Sequence, residues 1–116
     1  MKDIEKKITY KDTEYTVVFN LNVMEAIQEK YGSLDNWVNL MDGTANNGEP
    51  DLKAIKYGYF LMINEGVEID NENGMEKKPV TLSQVGRILT QIGFENAQSK
   101  LGALMNDSTQ SNEKNE

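Results

Sequence analysis

At residue 20 the hydrophobic period of the chain changes, and this most constrains what it can fold into. Ile8, Tyr10, Tyr15, Val17 and Phe19 recur at every second position around the polar "KDTE", whereas Met24, Ile27 and Tyr31 recur at three to four. The first spacing is that of a strand pair over 7–10 and 14–19, and the second is that of a helix. A lone two-stranded hairpin is marginal in water, so its apolar face is expected to lie on the helices that follow.

The remaining punctuation extends this into an α+β fold: an N-terminal β-hairpin followed by about five short α-helices. Asn22 is read as the cap of the first helix, with Glu25 in a near capping box and Gly32 as its end. Ser33 caps a second helix with Leu34, Trp37, Val38 and Met41 on one face, and "DGTANNGEPD" closes it as a loop. Asp51 opens a third helix, in which Leu52, Ile55, Tyr59, Met62 and Ile63 face one way and Tyr57 and Phe60 another. Gly58 is expected to admit a neighbouring backbone, and Gly66 to stop this helix.

"VEIDNENGMEKKPV" is polar, with a turn at Asn73-Gly74, and reads as a mobile hairpin-like flap. Thr81 and Gln84 form a capping box before a stripe of Leu82, Val85, Leu89 and Ile92 that ends at Gly93. Phe94, Ala97, Leu101 and Leu104 continue at the same spacing in a last helix. Residues 1–106 are therefore expected to form a single, mostly helical domain, and the polar residues 107–116 a disordered C-terminal tail.

Composition narrows the chemistry. The chain has no Cys and no His, which removes disulfides, thiolate chemistry, the usual zinc sites and the commonest general base. Twelve cations against nineteen acids give a formal charge of −7, and Arg87 is the single arginine, which disfavours a nucleic-acid partner. The longest apolar stretch, around 57–63, is too short to cross a bilayer, so a soluble, cytosolic protein is expected.

The oxygen-rich "EIDNENG" fails as a calcium loop: aligning Gly74 with the glycine of an EF-hand puts Ile69 and Val80 where the first aspartate and the last glutamate belong. Ser33, Ser83 and Ser99 have no histidine partner, and Ser99 and Lys100 point apart on a helix. No glycine pattern suits a phosphate, and Tyr57, Tyr59 and Phe60 read as core. Neither cofactor nor metal is implied, and an enzyme is not expected. What remains is contact with another protein through apolar side chains left over once the core is filled, with Phe60, Phe94, Leu101, Leu104 and Met105 as candidates.

"FNLNVMEAIQEKYGS", "LKAIKYGYFLMINEG" and "PVTLSQVGRILTQIGFENAQSKLGALM" occur in an order that resembles the tail assembly chaperones of long-tailed, siphovirus-like bacteriophages, over roughly residues 15 to 105. The weight of the resemblance lies in order and spacing. It implies a non-enzymatic helper in the host cytoplasm that binds the tape-measure protein and tail tube subunits. Such a helper keeps them soluble, promotes tube assembly, and is absent from the finished virion. It leaves self-association open.

Many members of that family also make a longer product by ribosomal frameshift, and Glu113-Lys114-Asn115 can be encoded by the slippery string A AAA AAC. The acidic loop at 67–79 matches no family motif. The alternative reading of the residues is a small acidic regulatory protein that mimics DNA toward a basic host or phage factor. Its mark would be carboxylates arrayed along one face.

Overall fold

The computed structural model describes residues 4–114, with side chains described over 6–105. Two antiparallel strands, β1 (Ile4–Tyr10) and β2 (Thr13–Phe19), pair from Ile4 opposite Phe19 to Tyr10 opposite Thr13. The turn between them places Lys11 at a left-handed φ of 55°. Among the described residues five α-helices follow: α1 (Leu21–Tyr31), α2 (Leu34–Met41), α3 (Leu52–Glu72), α4 (Leu82–Ile92) and α5 (Phe94–Lys114). A single 3-10 turn, Thr44–Asn46, lies in the loop between α2 and α3. The expected α+β architecture is the one observed.

The hairpin is enclosed more fully than one apolar face would require. Val17 and Phe19 enter the core as their alternation demands, but Thr16 and Val18 on the opposite face are buried as well. Phe19 stacks on Trp37 of α2 with ring centroids 6.4 Å apart, and α1, α3 and α5 all pack on β2. One apolar cluster joins Ile8 of β1, Ile27 of α1, Trp37, Tyr59 and Met62 of α3, Val85 and Ile88 of α4, and Leu101 and Leu104 of α5.

Several local expectations are corrected. The cap of α1 is Asn20, not Asn22: its side chain accepts from Val23 N at 3.3 Å and donates to Glu65 at 2.7 Å. Asn22 lies inside the helix and donates to the same Glu65 carboxylate oxygen at 3.0 Å, so no Asn22–Glu25 box forms. Gly32, at φ 90°, does end α1, and Ser33 and Asp51 cap α2 and α3 as read. On α4 the buried side chains are Val85 and Ile88, with Leu89 and Ile92 half-buried and Leu82 exposed, so the helix is rolled from its expected stripe toward Ile88.

The largest correction concerns α3, which runs through Gly66 to Glu72. Gly66 is a contact glycine: a Cβ there would collide with the carbonyl oxygen of Thr16, so its role is to let β2 lie against the helix. At Gly58, where a neighbouring backbone was expected, the close neighbour is the indole of Trp37, whose Nε1 donates to the Ala54 carbonyl at 3.0 Å.

The flap expected at 67–80 is not a hairpin. Its first part is the end of α3, and residues 75–80 run back along that helix as an extended strap. Two asparagines seven positions apart hold it. Asn64 bonds both the N–H (2.8 Å) and the C=O (3.1 Å) of Val80, and Asn71 does the same for Lys77 (2.8 and 2.9 Å). Each carboxamide satisfies the N–H and C=O of one residue, as a neighbouring strand would.

The backbone of α5 is helical to Lys114, past the 106/107 boundary expected for the tail. The side chains of that stretch, and residues 115 and 116 altogether, lie outside the described residues.

Candidate functional site

The N-terminal turns of α3 and α5 and the outer side of α4 enclose an open apolar groove of about 380 Å³. Ile55 and Ala97 form its floor. Leu52, Leu89 and Phe94 form its walls, and Leu52 and Phe94 are 65% and 41% exposed. Gly86 keeps the α4 wall low, so the Lys56 stem runs across it; a Cβ at 86 would sit 3.6 Å from Lys56 Cδ. Lys56 is the one charged residue among those lining the groove.

At Ile55 this groove meets a second apolar depression of about 240 Å³ between α2, α3 and α5. Its lining includes Val38, Met41, Leu101 and Met105, and Asp42 is its one charged residue. Asp42 Oδ1 accepts from the Thr44 backbone N–H at 2.8 Å, and the bonds from Thr44 hold its carboxyl below the ordinary aspartate value, so it stays ionised at neutral pH. Gln98 Nε2 donates to the Met41 carbonyl at 3.1 Å and pins α5 over the end of α2.

The five contact candidates divide between surface and core. Phe94 stands at the rim of the groove and Met105 lines the second depression. Leu101 and Leu104 are only 2% and 1% exposed, which corrects the expectation that they are left over after the core is filled. They fill that core because α5 packs on the hairpin and α4; Leu101 reaches the second depression only as part of its floor. Phe60 faces elsewhere, stacked on Tyr57 at 6.0 Å, with Tyr57 edge-on to Tyr31 and Lys30 lying 4.7 Å over its ring. Tyr59 is core as expected, its hydroxyl donating to the Ala97 carbonyl at 2.7 Å and its pKa raised by burial.

Leu52 is the residue of the groove that sequence reasoning misassigned, since its spacing from Ile55 and Tyr59 suggested a buried side chain. It occupies the first turn after the Asp51 cap, where α3 projects beyond the elements packed on it. That position beside a capping aspartate is the only local signal of its exposure.

Near the other end of α3, Asp70 joins the hairpin, that helix and the strap. It accepts from Lys77 Nζ at 2.7 Å and from Thr16 Oγ1 at 3.1 Å, while Lys77 Nζ also donates to the Glu14 carbonyl at 3.0 Å. The Lys77 ammonium, with help from Thr16 and Lys7, holds the Asp70 carboxyl below its ordinary value. Both aspartates with shifted pKa thus move away from the direction that a general acid requires. Among the described residues, no cluster of acidic groups is arranged to hold a metal ion, and no helix is long and apolar enough to cross a membrane. No protein-family model, curated protein or solved structure matches the chain.

Proposed function

We propose that this protein is a phage tail assembly chaperone, acting by stoichiometric binding to the tape-measure protein and to tail tube subunits and not by catalysis. The observation that carries the reading is the open groove with Leu52 and Phe94 on its rim, in a chain with a formal charge of −7. A cover for aggregation-prone surface needs exposed apolar contact on a soluble carrier, and this molecule combines the two. The partners are named from the resemblance that the order of the three sequence segments carries.

Co-expression with tail tube and tape-measure proteins is expected to raise their soluble fraction severalfold, and Leu52→Ser with Phe94→Ser to abolish most of that gain. Unchanged solubility together with no complex on a sizing column would count against the proposal.

One observation favours the DNA-mimic reading: Glu65, Glu68 and Glu72 line a shared polar depression along the second half of α3. Glu65 is held by Asn20 and Asn22, however, which leaves a short acidic row. Strongly salt-dependent binding to a basic repressor or nuclease would favour that reading.

A further inference from the structure

We infer that the groove and its continuation past Ile55 receive one amphipathic helix of a partner protein, with a carboxylate of that helix over Lys56 and a cation beside Asp42. The inference rests on reading this surface as the binding face, and it does not depend on which protein supplies the helix.

Three features of the surface select this occupant. The first is length: Phe94 and Met105, at the two ends, are eleven residues apart on α5, about 16 Å along its axis. This is the span of two to three turns of a docked helix, which presents apolar anchors at i, i+4 and i+7. The second is the chemistry of the walls. They are side chains of helices whose peptide groups beyond the first turn are paired along the helix, so an extended segment would find no ladder of partners for its N–H and C=O groups, whereas a helix satisfies its own. The third is charge: the wide end holds a lone cation and the narrow end a lone anion, so a helix with opposite charges at its two ends fits in one direction and is repelled in the other. Met41 and Met105 at the narrow end suit an anchor of variable shape.

The test uses two helix-stabilised synthetic peptides of about 15 residues, titrated into the isotope-labelled full chain. Both carry leucine at i, i+4 and i+7; one has Glu beside the first leucine and Arg beside the last, and the other has these charges in the reverse order along the same leucine stripe. Each peptide should bind with its Glu end over Lys56, so the two lie in opposite chain directions, and orientation is read from a spin label placed in turn at either terminus. The expected result is amide shifts at Gly86, Thr90, Ala97 and Gly102, with the Glu end of each peptide broadening Gly86 and the Arg end Gly102.

Lys56→Glu should weaken both peptides about tenfold and tighten a third that carries Arg at both ends. Leu52→Ser should weaken all three without moving the unfolding midpoint. Shifts confined to another face, mixed orientation, or affinities indifferent to both substitutions would overturn the inference. So would a concentration-dependent dimer abolished by Leu52→Glu, which would give the groove to a second copy. Peptide binding without rescue in co-expression would count against tail assembly alone; rescue without peptide binding would count against the helix alone.

Discussion

Gly66 lies where β2 crosses α3, and the Thr16 carbonyl occupies the space that any side chain would need. Since the obstacle is backbone, it can retreat only by moving the strand. Gly66→Ala should therefore destabilise the protein by about 2–3 kcal/mol, the cost of overpacking with little room to relax, read as a lower urea midpoint. A glycine near the middle of an apolar helical pattern has two readings, a stop or a close approach. Val67 and Asp70 continue beyond it the helical spacing set by Ile63, which is the signal in favour of the second.

At the scale of elements, α3 and α5 carry two kinds of apolar residue that the sequence presents alike. Leu104 is enclosed between α5 and the rest of the core, and Leu104→Ala should cost about 3 kcal/mol. Leu52→Ser, at the groove, should shift stability by no more than about 0.5 kcal/mol while lowering partner capture; chemical denaturation and pull-down together measure the contrast. Elements whose signals are local were legible: the Thr81–Gln84 box and Gly93 bound α4 at both ends, and the alternation at 8–19 located the hairpin. What depended on remote partners was not. The strap at 75–80 is held by Asn64 and Asn71, whose roles no neighbouring residue announces. Phe94 was recognisable as an apolar residue left at the surface, whereas Leu52 is exposed only because the first turn of α3 lies beyond the elements packed on that helix.

At the scale of the whole molecule, Asp70 is where the hairpin, the long helix and the strap are tied together. Its folded carboxyl titrates below the ordinary value, so its pairing stabilises the fold fully above the unfolded carboxylate pKa of about 4 and is lost as the pH falls below it. Asp70→Asn should lower the urea midpoint at about pH 7, and the gap between variant and parent should close progressively as the pH falls below about 4 and through the lowered pKa of the folded carboxyl. A gap that is constant across this range would mean that the carboxylate charge contributes nothing.

Trp37, the chain's one tryptophan, is fully buried where β2, α2 and α3 meet, with its ring on Phe19, its edge against Gly58 and its N–H on the Ala54 carbonyl. The molecule thus carries a built-in optical probe at the junction of three elements. Its emission should be blue and sheltered from aqueous quenchers in the native state, and should turn red when strand and helices part. The indole does not line the groove, so filling the groove should leave the emission colour unchanged. One fluorescence titration can thereby distinguish occupation of the surface from disruption of the core.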